Sequence, residues 1–92
     1  MQKFIITSDG TLKYGNVRMH KDLLTGSETC IGGGFYEFDL VSNRLLLTGR
    51  SYDFGRPAWD RISLLKVPSV FKGLTILYEN EDVRDFLKID YI

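Results

Sequence analysis

Polar and apolar residues alternate through much of the first half of the chain. Lys3 to Thr7 are β-prone, and Asp9-Gly10 supplies a turn signal. Beyond it, Leu12 and Tyr14 point to one side while Thr11 and Lys13 point to the other. The pattern predicts an antiparallel hairpin. Gly15-Asn16 marks a turn or bulge, and Val17 to Met19 can extend the strand. His20 to Leu24 suits one helical turn, closed by Thr25-Gly26. Residues 25–34 read as a loop ending in Gly32-Gly33-Gly34.

A second hairpin is expected next. Tyr36, Phe38 and Leu40 share one face, and Phe35, Glu37 and Asp39 share the other. Ser42-Asn43 reads as the turn and Arg44 to Thr48 as the return strand. After the loop 51–55, Pro57 suits the first turn of a helix. Ala58, Ile62 and Leu65 fall at helical spacing beside Trp59, Lys66 suits the last turn, and Pro68 ends the element. A short turn through Phe71 closes at Gly73, and Leu74 to Tyr78 reads as a strand. Glu79 to Asp85 is a polar loop or short helical turn. Leu87, Ile89 and Tyr91 then alternate with Lys88 and Asp90 in a final strand over Phe86 to Ile92.

The expected fold is therefore α+β. Residues 1–92 form a single globular domain in this reading. A mainly antiparallel sheet of about five to six strands, built from hairpins, packs against one main helix.

Composition supports a packed core: 43% of residues are hydrophobic and 13% aromatic. This excludes a disordered tail. Twelve basic residues balance twelve acidic ones. Zero net charge argues against general attraction to nucleic acid and leaves little repulsion against self-association. Locally the balance differs. Arg44, Arg50, Arg56, Arg61, Lys66 and Lys72 outnumber Asp53 and Asp60, giving segment 44–72 a charge of +4. From Glu79 onward the chain carries −3. Either these charges intermix on folding, or the basic segment meets an acidic or phosphate-bearing partner.

Cys30 is the single cysteine, so no internal disulfide or cysteine-based zinc site forms. It reads as a small buried residue. No apolar signal core follows Met1, and runs such as Phe4-Ile5-Ile6 and Leu45-Leu46-Leu47 are too short to span a bilayer. The cytoplasm is the expected compartment, with no membrane partner.

Several motifs invite chemistry. Gly32-Gly33-Gly34 resembles a phosphate loop in composition, but it leads into a strand-like Phe35-Tyr36-Glu37-Phe38. Missing side chains that permit close backbone approach explain it better. Asp53-Phe54-Gly55 reads as a turn, because the lysine strand and catalytic loop of a kinase are missing. The surrounding segment is richer. Arg50, Tyr52, Asp53, Phe54, Arg56 and Trp59 place aromatics and arginines where they either anchor a partner or fill the core. His20 is the only histidine; Asp22 or Asp53 could orient it as a general base. No metal-ligand cluster and no cofactor motif are expected.

The strings Ile5-Ile6-Thr7-Ser8-Asp9-Gly10, Gly15-Asn16-Val17-Arg18-Met19-His20-Lys21-Asp22-Leu23-Leu24, Gly32-Gly33-Gly34-Phe35-Tyr36 and Ser51-Tyr52-Asp53-Phe54-Gly55 cover under half of the chain. They resemble those of small bacterial proteins of unknown function. The resemblance implies no activity and assigns no residue a role.

The leading functional expectation is a non-catalytic protein-binding module of a bacterial cytoplasm, acting on a protein partner or as a homodimer. The alternatives are a nucleic-acid binder using the basic aromatic segment 44–72, and a small hydrolase or transferase using His20 with Asp53.

Overall fold

The computed structural model describes residues 2–61, 64–82 and 84–92. Among the described residues, eight strands run in chain order: β1 Gln2–Thr7, β2 Leu12–Asn16, β3 Cys30–Asp39, β4 Arg44–Thr48, β5 Leu65–Val67, β6 Thr75–Glu79, β7 Arg84–Phe86 and β8 Ile89–Tyr91. Six form one sheet in the order β2-β1-β3-β4-β6-β7, and β5 pairs with β8 in a second. A parallel bridge between Thr11 and Lys66 joins the two, where the Lys66 N–H donates to the Gly10 carbonyl at 2.8 Å.

The first hairpin follows its turn chemistry. Gly10 takes a φ of 87°, which glycine adopts without a Cβ penalty. The Asp9 carboxylate accepts from the Thr7 hydroxyl and from the Thr11 N–H. These bonds, led by that of the Thr7 side chain, hold the Asp9 carboxyl below its ordinary pKa. Phe4 pairs with Tyr14 and Ile6 with Leu12, setting both apolar pairs on one face.

That face is the core. Phe4, Ile6, Leu12, Leu45, Leu47, Ile76 and Tyr78 meet Leu65, Val67 and Phe71 from the second sheet and its neighbouring turn. Each such side chain contributes about 1.5–3 kcal/mol by leaving water. Ile5 is buried on the opposite face of the sheet, next to the 3₁₀ turn His20–Leu23.

Four expectations are corrected. The first concerns the main helix. Among the described residues no helical element exceeds the 4 residues of His20–Leu23. Among the described residues of the expected helix, Trp59–Arg61 forms a 3₁₀ turn and Leu65–Val67 is extended. Leu65 and Val67 are buried while Lys66 between them is half-buried, a period of two rather than 3.6. Pairing with β8, Leu65 against Ile89 and Val67 against Tyr91, outweighs the helical spacing. Ile62, part of the expected stripe, lies outside the described residues. The fold is accordingly mostly β, not an α+β layer pair.

The second concerns the sheet, which is mixed: four of the five pairings in the six-stranded sheet are antiparallel and one is parallel. β4 and β6 run parallel, as do β5 and β8. A parallel pair needs a long crossover, and residues 49–74 provide one whose described helical elements are three-residue 3₁₀ turns.

The third concerns residues 30–34, expected as loop. They lie inside β3, paired with β1. The glycines are there for close approach. A Cβ on Gly33 would sit 2.5 Å from the Phe4 carbonyl oxygen, and one on Gly34 would strike the Thr48 carbonyl oxygen. The last strand also divides. Leu87 donates its N–H to the Ile76 carbonyl at 2.9 Å, and the chain passes from β7 in one sheet to β8 in the other.

Candidate functional site

A cleft of about 570 Å³ opens on the sheet face away from the core. Its floor comes from neighbouring strands: Lys3 of β1 is paired directly with Phe35 of β3. One wall is the segment Arg18-Met19-His20. The other is the turn bearing Arg50, Ser51, Tyr52, Asp53 and Gly55.

Each wall is fastened to the floor. Lys3 is only 8% exposed, and its ammonium donates to the carbonyls of Val17 (3.2 Å) and Arg18. Met19 donates its N–H to the Asp22 carboxylate at 3.1 Å, which starts the 3₁₀ turn. His20 follows, 3% exposed, with its Nε2–H donating to the Gly34 carbonyl at 2.7 Å. Its ring meets Phe35 edge-on, centroids 5.4 Å apart. The ring fits because Gly33 carries no side chain: a Cβ there would lie 3.2 Å from His20 Cδ2.

The second wall is a closed turn. Ser51 and Gly55 exchange backbone bonds of 2.9 and 3.2 Å, and the buried Ser51 hydroxyl accepts the N–H groups of Asp53 and Phe54. Gly33 ties the turn to β3, accepting from the Ser51 N–H at 2.9 Å and donating to the Gly55 carbonyl at 3.1 Å. Gly55 has a φ of 76°, as the turn requires.

Four of the seven residues singled out from sequence come together here: His20, Arg50, Tyr52 and Asp53. Tyr52 is fully exposed. The other three do not line the cleft. Phe54 is half-buried in its turn. Arg56 turns to the acidic C-terminal segment, 3.2 Å from Asp82 and 3.7 Å from Glu81. Trp59 packs on the core, its ring 5.0 Å from that of Tyr78.

Sequence reasoning missed Lys3, Arg18 and Phe35. One signal was available for Lys3 and Phe35. Residues two apart share a strand face, so Lys3 belongs with the buried Ile5. Arg18 carries no such signal.

The electrostatics of the cleft are one-sided. Its lining holds Lys3, Arg18 and Arg50 and a single carboxylate, Asp53, for a local charge of +2. None of the three cations forms an ion pair among the described residues. The rest of the basic segment is spread out. Arg44 lies over the Phe86 ring at 5.4 Å, Arg56 is paired as above, and Lys66 sits in β5.

His20 and Asp53 share the cleft, but the Nε2 of His20 is committed to Gly34. Cys30 is not among the lining residues, and burial raises its thiol pKa. Among the described residues, no group of three or more His, Cys, Asp or Glu side chains could hold a metal ion. No helix among them is long and apolar enough to cross a membrane. Comparison of the chain with protein-family models, with curated proteins and with solved structures finds no match.

Proposed function

We propose that the protein is a non-catalytic binding module of a bacterial cytoplasm, and that its cleft receives an anionic group of the partner. The observation that carries this reading is the gathering of Lys3, Arg18 and Arg50 around one pocket with a lone opposing carboxylate. Unpaired cations on the walls of a concave site raise the local concentration of anions and attract them over several ångströms. Phe35, Met19 and Tyr52 add apolar and aromatic contact surface beside them.

A ligand that binds only the folded state raises the unfolding midpoint by mass action. Thermal unfolding in millimolar sulfate or phosphate, at ionic strength matched with chloride, tests the reading. The midpoint is expected to rise in the native protein and to stay fixed in the Arg18→Gln/Arg50→Gln variant. Equal responses of the two proteins would remove the reading.

A second reading, self-association, is favoured by the strand edges. β8 ends the two-stranded sheet, while β7 ends the six-stranded sheet with all three residues exposed. Open edges pair with further strands. Light scattering across concentration checks this, and a constant monomer mass at high concentration excludes it.

A further inference from the structure

We infer that the anionic group is a phosphate monoester carried beside a flat ring. This rests on the proposed reading of the cleft as an anion site, and it adds the chemical class of the ligand.

Charge selects among anions. The cleft carries +2. A carboxylate supplies one negative charge, whereas a phosphate monoester supplies about 1.5 to 2 at pH 7. The monoester therefore compensates the site more fully.

Donor chemistry agrees. Arg18 and Arg50 line the cleft, and a guanidinium is a planar fork suited to two phosphate oxygens. The Lys3 ammonium has three N–H donors, and two are spent on the Val17 and Arg18 carbonyls. One remains, on a residue that is 8% exposed and whose charge is therefore weakly screened.

The ring requirement comes from the floor and one wall. Phe35 lies on the floor next to Lys3, and Tyr52 projects from the turn with its whole side chain in water. Exposed aromatic faces beside cations hold a flat ring by stacking. A volume of about 570 Å³ accommodates one ring and one phosphate. Asp53 is the repulsive element, placed among the cations, and it disfavours a ligand that brings excess negative charge.

A phosphotyrosine side chain and a nucleoside monophosphate both have this chemistry. Calorimetric titration at low salt with free phosphotyrosine, AMP, inorganic phosphate, adenosine and phenylacetate separates the sources. At least one ring-bearing monoester is expected to bind about tenfold more tightly than inorganic phosphate, the increment that stacking supplies. The tighter of phosphotyrosine and AMP identifies the source. Arg50→Gln is expected to weaken that binding about tenfold, and Asp53→Asn to tighten it about threefold. Inorganic phosphate binding as tightly as both monoesters would refute the ring. Phenylacetate matching phosphotyrosine would refute the phosphate class while leaving the anion site standing. Absence of binding by every anion would remove the inference and the reading beneath it together.

Discussion

The Nε2–H of His20 donates to the carbonyl oxygen of Gly34 at 2.7 Å, and this bond pins the 3₁₀ turn to β3. The proton is thereby held on Nε2, and in the neutral ring Nδ1 is left as the acceptor. The histidine that sequence marks as a candidate base is, in the fold, a strut for the cleft wall.

Its removal has a defined cost. His20→Ala leaves a buried carbonyl without its donor, and a loss of about 1–3 kcal/mol is expected. Urea unfolding measures it. Unchanged stability would show that the wall holds without the bond.

The glycines of β3 set a stricter test. Gly34→Ala drives a Cβ into the Thr48 carbonyl, and neither backbone can move without breaking sheet pairing. A loss exceeding about 3 kcal/mol is expected, in the range reserved for buried steric conflicts. Gly15→Ala meets side chains rather than backbone, Leu23 at 3.3 Å and Val17 at 3.7 Å, and costs less. Denaturation midpoints of the two variants rank them.

Core packing predicts a third outcome. Leu47 is fully buried in the main cluster, and Leu47→Ala is expected to cost about 2–5 kcal/mol. The chemical unfolding curve reports it.

Acid should weaken one loop contact. Lys13 lies 2.6 Å from Glu28, and this bond, with those from Thr25, pulls the Glu28 carboxyl down to about 2 from 4.5. A depressed carboxylate stabilises the fold above its unfolded pKa and loses that effect as pH falls through its folded value. The stability difference between the native chain and Glu28→Gln is expected to be small, because the pair is exposed. It should hold above about pH 4.5 and shrink toward pH 2. Paired unfolding curves over that range follow it.

How much of this was legible in sequence depends on the range of the contacts. The hairpin around Asp9-Gly10 and the strand Arg44–Thr48 are local patterns, and periodicity finds them. Leu65–Val67 is settled by Ile89–Tyr91, far along the chain, so the nearby helical spacing misleads. The parallel pairing of β4 with β6 is likewise long-range. In the cleft, the aromatic turn and His20 stand out by composition. Lys3 looks like an ordinary strand lysine until the Val17–Met19 segment folds over it and buries its ammonium.

The cleft as the binding site is tested most directly by mapping backbone amide shifts in a nuclear magnetic resonance titration with phosphotyrosine and AMP at low salt. Shifts concentrated at Arg18, His20, Arg50, Tyr52 and Asp53, and reduced by added salt, are expected. Shifts centred on the opposite face of the sheet or on the C-terminal strands, or none at all, would contradict it.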